Sequence, residues 1–123
     1  MNKYFSQFSF HIQEIFLVLV GAIPGALLRF QLNSDFLSNT VGCAFLGFIV
    51  GCQFGSGAKL FLAIGFCGSL TTFSGWMLSL LELINYGFFL QAFNLMILTL
   101  FAGFSSLVLG LLIGKKMKQS FIP

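Results

Sequence analysis

Four apolar runs, each long enough to cross a bilayer and separated only by short polar breaks, leave this 123-residue chain few other ways to fold. A spanning helix needs about 20 apolar residues. Spans over about residues 15–32, 36–54, 60–85 and 88–114 therefore take up nearly the whole sequence. The chain is 58% hydrophobic and 7% charged, where soluble domains carry roughly 25% charged residues. It is read as an all-α membrane protein, one four-helix transmembrane domain over residues 1–123 with no room for a soluble catalytic domain. The run from Ile15 is taken as the first span because no small-residue cleavage site and polar mature chain follow it.

The formal net charge of +3 does not come from a dense basic patch, so nucleic acid is not an expected partner. Charge reports topology instead. Four spans put both ends of the chain on one side, and Lys3, Lys59, Lys115, Lys116 and Lys118 share that side, with Arg29 opposite. The positive-inside rule makes that side the cytoplasm. Cys43, Cys52 and Cys67 form no CxxC pair and are read as free, buried thiols. The acids Glu14, Asp35 and Glu82 are scattered at span ends. With no nucleophile, base or metal-spaced cluster, the chain is not expected to be an enzyme. His11, the one histidine, is read as an interfacial residue within a short segment over residues 1–13 that lies along the membrane surface.

Small residues recur at four-residue spacing and predict where helices approach closely. Gly21 and Gly25 form such a face on the first span, Gly47, Gly51 and Gly55 on the second, and Ala102, Ser106, Gly110 and Gly114 on the fourth. Pro24 removes one backbone hydrogen bond from the first span and is expected to kink it. Arg29 falls at the far end of that span, where it can snorkel to the headgroups or sit at the mouth of a path. Ser34 or Asp35 suits the cap of the second helix. Asn39 stands about one turn into it, and Thr99, Ser105 and Ser106 are hydroxyls of the fourth span.

The third run differs from the others. As one helix, residues 60–85 would be about 39 Å long against a hydrocarbon core of about 30 Å. Within it, residues 65–76 read Gly-Phe-Cys-Gly-Ser-Leu-Thr-Thr-Phe-Ser-Gly-Trp. Glycine weakens helices, and hydrocarbon cannot satisfy exposed backbone. A mid-membrane break is therefore expected between Gly68 and Thr71, surrounded by protein or a water-lined path. Asn39, Thr71, Thr72, Phe73, Ser74, Trp76 and Thr99 offer amide and hydroxyl donors and ring edges with partial positive charge. That chemistry suits a small anion. No lysine or arginine stands in mid-membrane to trap the ion, which fits conduction. Phe73 and Trp76, three apart, share a helix face. The unwound carbonyls offer a second site of opposite sign, suited to a cation such as Na+.

Gly65-Phe66-Cys67-Gly68-Ser69-Leu70-Thr71-Thr72-Phe73-Ser74 closely resembles the GFCGGFTTFS signature of the Fluc (CrcB) fluoride channel family. Gly25-Ala26-Leu27-Leu28-Arg29-Phe30 resembles its GAxxRY ending of span 1. Asn39-Thr40-Val41-Gly42-Cys43-Ala44-Phe45-Leu46-Gly47 resembles its VNxxGxFxxG in span 2. The resemblance covers nearly the whole chain in order and spacing. It implies a passive, fluoride-specific channel that lowers cytoplasmic fluoride from the cell inner membrane, built as an antiparallel, dual-topology-type dimer with two pores and a central Na+. Carried over by position, Asn39, Phe73 and Ser74 match the fluoride path. Arg29 matches the arginine near the pore mouth. Gly68 and Thr71 match the residues whose carbonyls hold the Na+, and Thr99 is the best match for the serine of span 4.

The chain departs from the family's TTFSTF at Gly75, which replaces Thr, and at Trp76, which replaces the second pore Phe. Ser69 and Leu70 replace Gly and Phe in the break. The five-to-one lysine bias adds a further expectation. A subunit that inserts both ways needs balanced Lys and Arg, so this chain is expected to hold one orientation and to pair with a paralogue of opposite bias. Three readings follow: a channel subunit as homodimer or heterodimer, a nonconducting assembly partner, and a four-span proton-coupled exporter. The exporter needs a mid-membrane carboxylate in span 1, and Glu14 precedes the apolar run.

Overall fold

The computed structural model describes the backbone of residues 2–121 and the side chains of residues 11–120. The side chains of the expected interfacial segment up to residue 10, Lys3 among them, lie outside the described residues. Among the described residues the chain is wholly helical: α1 (Asn2–Leu32), α2 (Asp35–Cys52), α3 (Ser56–Lys59), a π-helical stretch (Leu60–Cys67), α4 (Gly68–Leu70), α5 (Phe73–Asn85) and α6 (Phe89–Phe121). Among the described residues, four helical segments are long and apolar enough to cross a membrane: His11–Leu32, Asp35–Cys52, Ser56–Asn85 and Phe89–Ser120.

Glycines decide how these segments pair. α1 lies parallel to the π-helical stretch, because a Cβ at Gly21 would press on the backbone of Phe61 and one at Gly25 on the backbone of Phe66. The fit is reciprocal, since a Cβ on Gly65 would stand 2.6 Å from the Val18 carbonyl oxygen. α2 and α6 are likewise parallel and make the most extensive contact in the molecule. Gly47 and Gly51 meet the backbone at Leu107 and Leu111, while Gly110 and Gly114 meet Ala44 and Phe48. Close backbone approach gains dispersion contacts that lipid tails cannot supply, so small residues carry the pairing. Gly55 does not extend this ladder. It lies beyond the C-terminus of α2, and nothing stands within 4 Å of where its Cβ would be.

Local signals set the ends. Ser34 caps α2, its Oγ accepting from the Leu37 N–H at 3.4 Å. Gln53 closes α2 in the left-handed region at φ 54°, and its side chain accepts from Lys118 Nζ. Gly87 supplies the positive φ of 79° in the turn between α5 and α6, which costs glycine nothing sterically. α1 runs through Pro24 without interruption. Ser106 ties α6 to α2, donating to the Thr40 carbonyl at 3.0 Å.

These directions place Lys59, Lys115, Lys116 and Lys118 at the end where α2 and α6 finish, and Arg29 toward the opposite end, beside the start of α2. His11 is not alone: its Nδ1 lies 3.3 Å from Glu14 Oε2, three residues on along the same exposed helix face. That spacing makes the two neighbours in any helix.

Candidate functional site

Between α4 and α5 the helix opens for two residues. Thr71 (φ −80°, ψ 150°) and Thr72 (φ −141°, ψ 124°) are extended. The opening is narrower than the sequence predicts and sits later. Gly68 is helical (φ −65°, ψ −33°), and it is the two threonines that leave the helix. β-branched side chains lose rotamer freedom in helices, and Thr can bond locally to backbone, so a Thr-Thr pair yields more readily than its neighbours.

The opened backbone is satisfied on one side only. The Thr72 N–H donates to Asn39 Oδ1 at 2.7 Å, and Asn39 Nδ2 donates to the Thr72 carbonyl at 3.0 Å. One carboxamide thus replaces both backbone bonds of one residue. Thr72 Oγ1 caps α5, accepting from the Gly75 N–H at 3.1 Å, and lies 3.3 Å from Ser74 Oγ. Thr71 Oγ1 donates back to the Cys67 carbonyl at 3.0 Å. No backbone helical bond crosses the opening to the carbonyls of Gly68, Ser69, Leu70 or Thr71. Four carbonyl oxygens are left at the end of α4, a run of acceptors with their partial negative charge.

Beside this opening lies a groove of about 490 Å³ whose polar residues are Asn39, Thr71, Thr72, Trp76 and Thr99, with Phe73 among its apolar ones. Six of the seven residues singled out as a lining are therefore brought together by three helices. Ser74 is the exception, exposed and turned to Thr72. The Phe73 and Trp76 rings meet at 5.7 Å between centroids and 59° between planes, the tilted contact that ring quadrupoles favour. Thr99 Oγ1 donates to its own helix, at the Leu95 carbonyl, 2.8 Å away. A second, polar pocket of about 320 Å³ abuts the groove and shares Trp76 and Thr99 with it; Asn33, Ser34, Asp35 and Ser79 supply its polar groups. A third, of about 450 Å³, holds Arg29, Asn33, Asp35 and Ser69 together, so Arg29 opens onto polar neighbours rather than onto apolar surface alone.

The family model described as "CrcB-like protein, Camphor Resistance (CrcB)" matches residues 16–111. The chain belongs to the CrcB family. "Fluoride-specific ion channel FluC 1" of Prochlorococcus marinus (strain SARG / CCMP1375) is 48% identical over 112 residues, covering 91% of this chain and 90% of that protein. "Fluoride-specific ion channel FluC 2" of Prochlorococcus marinus (strain MIT 9313) is 47% identical over 107 residues, covering 87% and 86%. "Fluoride-specific ion channel FluC 2" of Parasynechococcus marenigrum (strain WH8102) is 40% identical over 128 residues, covering 100% and 97%.

The departures from the CrcB pattern have local causes. Where that pattern has Thr, Gly75 lies under the Asp35 carboxylate, and a Cβ there would stand 2.7 Å from Asp35 Cγ. Ser69 donates to the Ala22 carbonyl at 2.9 Å and the Phe66 carbonyl at 3.1 Å, fastening α4 to α1. Leu70 is fully buried, filling the space beneath the opening. Trp76 has no such compensation: its Nε1 is buried and has no hydrogen-bond partner.

Sequence reasoning missed three features here. The π-helical stretch has no composition signal. Asn39 is paired with a backbone 33 residues away. Asp35 reads as a helix cap but packs against Gly75.

Proposed function

We propose that this chain is one subunit of a dimeric fluoride channel that lets fluoride leave the cell passively, down its electrochemical gradient. The observation that carries this is the groove beside the Thr71–Thr72 opening, which gathers Asn39, Phe73, Trp76 and Thr99 in a chain whose relatives are named fluoride-specific ion channels. The wall is largely apolar, so an ion entering it sheds water and must be met by donors and ring edges. Phe73 offers a ring edge with its side chain 72% exposed. The remaining N–H of Asn39 and the Ser74 hydroxyl offer donors on either side. The positive charge of Arg29 raises the local concentration of anions at one mouth.

The groove is open along one flank, and an antiparallel second subunit in the cell membrane is read as closing it, with the opening near mid-membrane. The lysine end then faces the cytoplasm, with both ends of the chain on that side. Its bias favours a partner of opposite bias over a second copy of itself. Relatives that carry the numbered names FluC 1 and FluC 2 fit strains with more than one such protein.

A structural Na+ fits the donor set at the dimer centre. The carbonyls of Gly68 and Thr71 accept no helical bond, Gly68 is exposed with free space beside it, and neutral carbonyl oxygens suit a hard monovalent cation. When bound, the ion supplies fixed positive charge between the two subunits. Gly68 and Thr71 would hold it from this chain, and Asn39 keeps the Thr71–Thr72 backbone in the conformation that presents them.

A second reading, a nonconducting partner with the same fold, draws on Gly75 and Trp76, where the chain leaves the pore pattern. Fluoride efflux from liposomes, measured for this chain alone and with a paralogue of opposite charge bias, separates the two. Flux unchanged when Na+ is withheld throughout purification would remove the cation from the account.

A further inference from the structure

Trp76 is the one tryptophan of the chain, and it borders both the groove and the polar pocket that abuts it. The threonine hydroxyls that line the groove, and one N–H of Asn39, are already engaged within the chain. Thr71 and Thr99 donate to carbonyls of their own helices, Asn39 donates to Thr72, and Thr72 Oγ1 is engaged by the Gly75 N–H and Ser74. The indole N–H takes part in none of these bonds: Nε1 is buried and has no hydrogen-bond partner. Buried donors without an acceptor are rare in folded proteins and require a partner that the chain itself does not supply. Asp35 lines the polar pocket together with Trp76 but makes no hydrogen bond to the indole.

We propose that Trp76 Nε1–H is a hydrogen-bond donor to the permeating anion at the boundary between groove and polar pocket, and that it sets anion specificity there. The inference rests on the fluoride channel reading and goes beyond it. A phenylalanine at this position presents only a ring edge. An indole presents one strong, linear donor, which favours a small, strongly accepting anion such as fluoride over larger halides. Phe73, packed at 5.7 Å against the indole, keeps the ring in place, so that the ion finds the donor in one position.

A single tryptophan makes the contact directly observable. Protein carrying 15N-labelled tryptophan gives one indole N–H resonance, to be titrated with fluoride and, at equal ionic strength, with chloride. Fluoride should shift it saturably and chloride should not. Trp76→Phe keeps the ring and removes the donor, and should lower the apparent fluoride affinity about tenfold, the effect of one hydrogen bond to a charged group. A resonance that fluoride leaves unmoved in a preparation that conducts would overturn the proposal and assign the N–H to water, as would native affinity in the Phe variant. A shift with fluoride in a preparation that does not conduct would sustain the contact and count against the channel reading instead.

Discussion

The carboxamide of Asn39 holds both backbone polar groups of Thr72, accepting from its N–H at 2.7 Å and donating to its carbonyl at 3.0 Å. A helix interrupted in an apolar setting leaves backbone groups that lipid cannot satisfy. Here one side chain from α2 satisfies the last residue before α5 resumes. The expected anion-facing amide is thus also the clamp of the opened backbone.

Removing that clamp tests the pairing. Asn39→Ala leaves two backbone groups of a buried residue unpaired, and should destabilise the fold by about 2 kcal/mol or more. Asn39→Asp keeps the acceptor for the Thr72 N–H but sets a carboxylate against the Thr72 carbonyl and in the groove. It should abolish most fluoride flux. Thermal melting in detergent and an efflux assay report the two effects separately.

Thr72 also caps α5 through Oγ1. Thr72→Ser retains the acceptor and should melt near the native temperature. Thr72→Val keeps the shape without the acceptor and should lose about 1 kcal/mol, the usual worth of an N-cap. Equal melting of the two variants would mean that the cap is not formed.

Gly75 and Asp35 are coupled sterically. Gly75→Thr, which restores the family residue, should cost about 1–3 kcal/mol by overpacking. In an Asp35→Ala background the same change should be nearly neutral. A double-mutant cycle with a coupling of at least about 1 kcal/mol is expected; additive effects would remove Asp35 as the reason for glycine.

Phe73 is largely exposed in the single chain and contributes little to its core. Phe73→Ile should therefore leave melting of the subunit nearly unchanged while greatly reducing fluoride flux. The reverse pattern, lower stability with full flux, would make Phe73 a packing residue.

The faces by which helices pack closely were legible in the sequence, though not which helix each would meet, because a close-packing face depends on a local property. Gly21 and Gly25, Gly47 and Gly51, and Gly110 and Gly114 expose backbone wherever they stand on a helix, and a neighbour must come close to cover it. Most of the groove was legible for a related reason: Phe73 and Trp76 are one helical turn apart. The location of the opening was not. Glycine content pointed to Gly68, yet Gly68 stays helical, and the chain opens at Thr71–Thr72, where Asn39 waits with a matched donor and acceptor. That choice depends on the register between α2 and α5, which no single segment encodes. The same register places Asp35 over Gly75 and leaves the Trp76 N–H without a partner. The expected extension of the α2 ladder to Gly55 failed because α2 ends first, at the left-handed Gln53.

Fluoride conduction is tested most directly by efflux from liposomes. Purified chain, alone and together with a paralogue of opposite charge bias, is reconstituted in vesicles loaded in turn with fluoride and chloride, and released ion is followed by a selective electrode. Rapid fluoride release with negligible chloride release is expected, strongest when the paralogue is present. Absence of fluoride release in both preparations, or equal release of the two halides, would contradict the assignment of this chain as a fluoride channel subunit.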